Sequence, residues 1–167
     1  WPRPSGPIRR LRVAVLDSGL ELAVATIVRS RGSEFTTIEV DRSLHPTVRG
    51  RLFVPGGEHR RNTGIVVLGG SFGGMLVREP RRFAAQGYPS LALAYFKHDD
   101  LRSSGSNIPL EYFAEALEWF REAQSLDRVV LMGRARGGEA ALLVASEFSG
   151  LVDAVIAQVP SHLVNNG

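Results

Sequence analysis

Gly133-Arg134-Ala135-Arg136-Gly137-Gly138 separates an apolar, strand-like run, Arg128 to Met132, from a helix-like run, Glu139 to Phe148. No other feature constrains the fold as much. Small residues at such a junction let a strand turn sharply into a helix, the setting of the G-x-S-x-G elbow, where a Ser or sometimes a Cys points into a reaction site. Ala135 stands where that nucleophile would be. A methyl group can neither attack an acyl carbon nor be activated by a His, so covalent catalysis is expected to be absent at this point.

Two parts are expected, with a boundary between Asp41 and Val48 that assigns residues 1–47 to one and 48–167 to the other. In the first, Leu11–Leu16, Leu22–Arg29 and Glu34–Val40 alternate at period two, and Asp17-Ser18-Gly19 is a turn signal. These read as antiparallel strands. So few cannot bury two faces alone, which points to the tail of a larger β-sandwich. In the second part Gly50–Val54 is an early strand, and Thr63–Leu68 and Ser90–Tyr95 are continuous apolar runs of the kind buried in a parallel sheet. Helices are expected over Val77–Gln86, Leu110–Gln124 and Gly138–Phe148, and further strands over Arg128–Met132 and Val152–Val159. Alternating strands and helices with right-handed crossovers give a mostly parallel α/β sheet.

The 167 residues are 44% hydrophobic and 22% charged, ordinary for a globular chain. No apolar stretch approaches the roughly 20 residues of a membrane span, and the N-terminus lacks an apolar signal core, so the expected location is the cytoplasm with no membrane partner. The absence of Cys excludes disulfides and thiolate metal sites. Arginine supplies almost all of the positive charge, Lys97 being the only lysine, and gives a net charge of +3. No basic run is interleaved with aromatics, so a nucleic-acid partner is not expected. A modestly basic surface would suit an anionic small molecule. No two His residues share metal-ligand spacing with an acid, so neither metal nor cofactor is expected.

From Gly50 to Ser161, and less firmly from Arg12, the chain resembles the acyl-CoA thioesterase and bile acid-CoA:amino acid N-acyltransferase family of α/β hydrolases. The matching stretches are Gly-Arg-Leu-Phe-Val-Pro at 50–55, Val-Val-Leu-Gly-Gly-Ser-Phe-Gly-Gly at 66–74, and Gly-Tyr-Pro-Ser-Leu-Ala-Leu-Ala-Tyr-Phe at 87–96. The most particular is Ile-Pro-Leu-Glu-Tyr-Phe at 108–113 followed by Ala-Leu-Glu-Trp at 116–119. The resemblance implies an Ig-like β-sandwich followed by an α/β-hydrolase domain that cleaves or transfers the acyl group of acyl-CoA thioesters. It also implies a Ser or Cys at the position of Ala135. Gly133, Gly137, Gly138 and Glu139 fit the family's elbow, so a lone change in an intact turn favours an engineered inactive variant over a drifted relative.

In such an elbow the N–H of the next residue, Arg136, points into an oxyanion pocket and is joined by an N–H from the loop after the third strand, here Ser71 or Phe72. The plainer reading of Gly69–Gly74 is a turn whose glycines only permit close packing. Downstream of Ala135 the only acids are Glu139, Glu147 and Asp153, and the only His is His162. Two of those acids lie on the helix after the elbow, and Asp153 precedes its strand at the wrong end of the sheet. His162 comes too early in the topology, so the acid and base are expected beyond Gly167. His45, His59 and His98 read as solvated loop residues, and Trp119 as core. Ser71 and Ser161 lack elbow context. Arg78, Arg81, Arg82, Arg134 and Arg136 could meet phosphates, against a plainer reading as a solvated face. Two alternatives stay open: another hydrolase of esters, lactones or amides on the same scaffold, and a noncatalytic binding module.

Overall fold

The computed structural model describes residues 8–30 and 34–161 and divides the chain into two compact units at Gly32 and Ser33. In the first unit β1 (Ile8–Asp17) pairs antiparallel with β2 (Leu20–Ser30). The two residues between them, Ser18 and Gly19, have φ of 50° and 84°. Positive φ at both positions gives the loop the twist that a two-residue hairpin needs, so the turn signal is realised as a tight hairpin. Val13, Val15, Leu20, Leu22 and Val24 are exposed on it.

The second unit is built on a six-stranded sheet. Its strands are β3 (Phe35–Val40), β4 (Arg49–Pro55), β5 (Thr63–Leu68), β6 (Ser90–Ala94), β7 (Arg128–Arg134) and β8 (Ala154–Gln158), in the spatial order β3-β4-β6-β5-β7-β8. β3 and β4 run antiparallel to their neighbours, and the remaining pairs are parallel. The third alternating run therefore corrects the expected boundary. It pairs with β4 from Phe35↔Pro55 to Val40↔Gly50 and belongs to this sheet, not to the hairpin's unit. The reason is physical: period-two alternation marks a strand with one wet face, and an edge strand of an α/β sheet has the same signature as a sandwich strand.

Three helices fill the crossovers: α1 (Arg78–Ala84), α2 (Leu110–Ala123) and α3 (Arg136–Glu147). Alternate strand residues divide between the two faces. Val66, Leu68, Leu91, Leu93, Val129 and Leu131 pack with Phe113, Leu117 and Phe120 of α2 and Ala141 and Val144 of α3. On the opposite face Ile65, Val67, Ala92 and Met132 meet Val77 and the α1 residues Phe83 and Ala84. β5 and β6 are covered on both faces and accordingly read as continuous apolar runs, whereas β8 is a half-exposed edge strand. Among the described residues no helix is long and apolar enough to cross a membrane.

Candidate active site

One residue, Ala135, joins β7 to α3. Its backbone has φ 51° and ψ −119°, a conformation that costs a residue with a Cβ of order 1–3 kcal/mol. Neighbours impose it. The Ala135 N–H donates to the Gln158 carbonyl of β8 (2.9 Å), and its own carbonyl accepts from the N–H groups of Gly138 (2.8 Å) and Glu139 (3.2 Å). A Cβ on Gly133 would lie 1.9 Å from the Gly137 carbonyl oxygen, and one on Gly137 would lie 2.3 Å from that of Gly69. Neither position admits a side chain. Gly138 is less crowded, its nearest such approach being 3.3 Å.

The same close approach brings the Gly-rich loop to the elbow. A Cβ on Gly70 would sit 3.6 Å from the Ala135 Cβ. The loop is pinned from the end of β6: the Tyr95 hydroxyl donates to the Gly69 carbonyl (2.6 Å), and the Gly74 N–H donates to the Phe96 carbonyl (2.9 Å). Burial, partly offset by Arg136, pushes the Tyr95 phenol up to about 12, so it remains a donor. Ser71 and Phe72 lie on the exposed part of this loop, Phe72 being 96% exposed. The sequence reading missed Gly70 and Tyr95. The aromatic end of a buried strand was visible, but no local pattern says that its hydroxyl holds a loop.

Arg136 opens α3 and lines a cleft of about 200 Å³ with Glu139 and Asn107. Its other walls are Tyr95, Gly105, Ser106 and the apolar side chains of Ile108, Leu110, Phe113, Ala140 and Leu143. Loop residues, α2 and α3 all contribute, which is why the cleft has no signature in any one segment.

None of the three downstream acids completes a triad in the described residues. Glu139 lines the cleft on the first turn of α3, and Glu147 is exposed at the far end of that helix. The Asp153 carboxylate accepts from the Val129 N–H (2.8 Å) and from Arg121 (2.9 Å), at the end of β7 remote from Ala135. The Val129 N–H, with Arg121, holds its carboxyl below the ordinary value. His162 lies outside the described residues. Ser161 is half-buried after β8.

His45 departs from the reading as a solvated residue. Its Nδ1 accepts from the N–H groups of Val48 (3.1 Å) and Thr47 (3.3 Å), and its ring stands edge-on to Trp119 at 5.6 Å. The chain entering β4 has donors to satisfy, and His45 supplies the acceptor. Trp119 packs against the main core cluster, in line with its reading as core. Arg78, Arg81 and Arg82 are exposed on α1, with the Arg81 guanidinium 5.9 Å from the Phe35 ring, and Arg134 is exposed at the end of β7. Among the described residues no cluster of His, Asp and Glu could hold a metal ion.

A further network escaped the sequence reading. Arg49, 2% exposed, donates to Asp100 at 2.7 and 3.0 Å and to the carbonyls of Val48 (2.8 Å) and His45 (3.0 Å). Arg42 also pairs with Asp100. Hydrogen bonds from Arg49 and Arg42 hold the Asp100 carboxyl far below the carboxylate range. The Tyr112 hydroxyl accepts from the Arg49 N–H (3.2 Å) and donates to the Ala94 carbonyl (2.5 Å). The network ties the segment after β6, which continues into the cleft wall, to the start of β4.

Residues 108–167 match the family model described as BAAT / Acyl-CoA thioester hydrolase C terminal. Mitochondrial acyl-coenzyme A thioesterase 2 of Mus musculus is 36% identical over 111 residues, which are 65% of this chain and 24% of that protein. Acyl-coenzyme A thioesterase 1 of Homo sapiens is likewise 36% identical over 111 residues, 65% of this chain and 26% of the relative. The chain thus spans about a quarter of the length of these relatives. Among solved structures, an α/β hydrolase from Penicillium sp. sh18 aligns with a TM-score of 0.58 at 21% identity, covering 76% of this chain and 46% of that one. The bacterial brefeldin A esterase aligns at 0.53 and 17% identity over 96% of this chain and 42% of its own. These likenesses, with the strand order and the helices on both faces, identify an α/β-hydrolase fold. The likeness to the family model spans residues 108–167, which carry α2, the elbow and β8.

Proposed function

We propose that this chain is the elbow-bearing part of an acyl-CoA thioester hydrolase or acyltransferase, with Ala135 at the nucleophile position. One observation carries the reading: a residue with a Cβ is held at φ 51° and ψ −119° between a buried strand and a helix, beside a pinned glycine loop. In the active form a Ser at position 135 attacks the thioester carbonyl, the carbon–sulfur bond breaks, and CoA leaves with a proton. The acyl group then passes to water or an amine. The developing oxyanion is met by the Arg136 N–H at the start of α3 and by an N–H of Ser71 or Phe72. The acid and the base come from residues outside the described ones, and the relatives' greater length supports this. With Ala135 the chain binds substrate without forming an acyl-enzyme.

The test is CoA release from short- to long-chain acyl-CoAs by the complete gene product, with Ala135 and with Ala135→Ser. Restoring the nucleophile is expected to raise turnover by on the order of a millionfold. Cleavage of simple esters without CoA release would move the assignment to another ester hydrolase. No turnover of either substrate in either form would leave a noncatalytic binding module.

A further inference from the structure

The cleft beside the elbow has a direction. Along α3 its lining residues are Arg136, Glu139, Ala140 and Leu143, the i, i+3, i+4, i+7 spacing of one helix face. The stripe starts at the residue next to Ala135 and runs away from it for about 10 Å, at 1.5 Å per residue. Its polarity changes along that path: the charged Arg136 and Glu139 stand at the elbow end, and the aliphatic Ala140 and Leu143 follow. Outside α3 the lining joins the apolar Ile108, Leu110 and Phe113 to the loop residues Gly105, Ser106 and Asn107. A cleft that is charged next to residue 135 and apolar farther along α3 matches a molecule with a polar acyl linkage and a hydrocarbon tail.

We propose that this cleft holds the first carbons of the acyl chain and that Ala140 and Leu143 set how many it accepts. The inference rests on the reading of residue 135 as the acyl-transfer position. Cavities of about 150 Å³ accept a six-carbon ring, so the cleft's volume of about 200 Å³ corresponds to roughly eight carbons. Each methylene placed in the cleft strengthens binding about fourfold, and methylenes beyond its end add little. Leu143, furthest from the elbow along the stripe, limits the depth. Ala140 leaves the passage open because its side chain is small.

Because Ala135 cannot consume the substrate, binding can be measured directly on the full chain by calorimetry with an acyl-CoA series from acetyl to palmitoyl, with free CoA as reference. The affinity is expected to rise with chain length and to level off near eight carbons. Leu143→Ala is expected to move the break to longer chains by about two to three carbons, the size of the atoms removed, and Ala140→Phe to move it to shorter ones. Leu142→Phe, on an exposed part of α3 outside the cleft, leaves it in place. Acyl-CoAs that bind better than CoA with a break unmoved by either cleft variant would overturn this inference and leave the thioesterase reading standing. Fatty-acid ethyl esters with the same movable break, and no gain from CoA, would retain the cleft and remove the acyl-CoA assignment. No binding of any acyl compound would overturn both.

Discussion

Ala135 occupies a backbone conformation that glycine adopts more easily, although glycines stand at 133, 137 and 138. A Cβ in such a place has a cost, and it is sustained by the Gln158 hydrogen bond and by contacts that exclude side chains from Gly133 and Gly137. The direction of the residue 135 side chain is what the strain secures. The glycines and the missing nucleophile could be read from the sequence because they are contiguous. The partner of Tyr95 could not, because the fold alone brings it to Gly69. Tyr95→Phe is expected to lower stability by about 1–2 kcal/mol, since a buried carbonyl loses its donor, and to speed amide exchange in the 69–74 loop. Unchanged stability and exchange would show that the hydroxyl does not hold the loop.

Elements were legible where burial writes a clear pattern. Thr63–Leu68 forms β5 over the same residues as the apolar run, and Ser90–Tyr95 overshoots β6 by one residue. The long helix expected over Leu110–Gln124 forms as α2 and buries Phe113, Ala116, Leu117 and Phe120. Membership of a sheet was not legible, and Phe35–Val40 shows why. Pairing is a long-range property, and the alternation is the same whichever neighbour the strand finds. α2 is fixed largely by Phe120, which is fully buried and leaves no room for a Cβ at Gly64. Phe120→Ala is expected to destabilise the second unit by about 3–5 kcal/mol in denaturant unfolding. A loss below about 1 kcal/mol would mean that α2 does not pack as described.

At the scale of the molecule, ionisation sets how stability varies with pH. The folded state depresses the carboxyls of Asp100 and Asp153 below the ordinary aspartate value of 3.8. A depressed carboxyl stabilises the fold above its unfolded value, and that contribution is lost as the pH falls through the lower folded value. Urea midpoints are therefore expected to fall below about pH 4, and less steeply in Asp100→Asn. Equal slopes in the two proteins would contradict the role given to the Arg42–Asp100–Arg49 network. At the alkaline end Tyr95 and Tyr112 are raised from 10 to about 12, so their contribution is present below pH 10 and is lost as the pH rises toward 12.

The claim that joins these scales is that residue 135 faces an acyl-transfer site, and the absence of native Cys allows a direct measurement. In Ala135→Cys the only thiol stands at the N-terminus of α3, where a thiolate is favoured, and it can exchange with an acyl-CoA without help from a triad. The thiolate attacks the carbonyl, the bond to the CoA sulfur breaks, and CoA leaves as its thiolate. Intact-mass spectrometry of Ala135→Cys and of Ser149→Cys, an exposed control after α3, would give the two acylation rates. Acylation at position 135 at least about tenfold faster than at 149 is expected, whereas equal rates would contradict an elbow aimed at an acyl site.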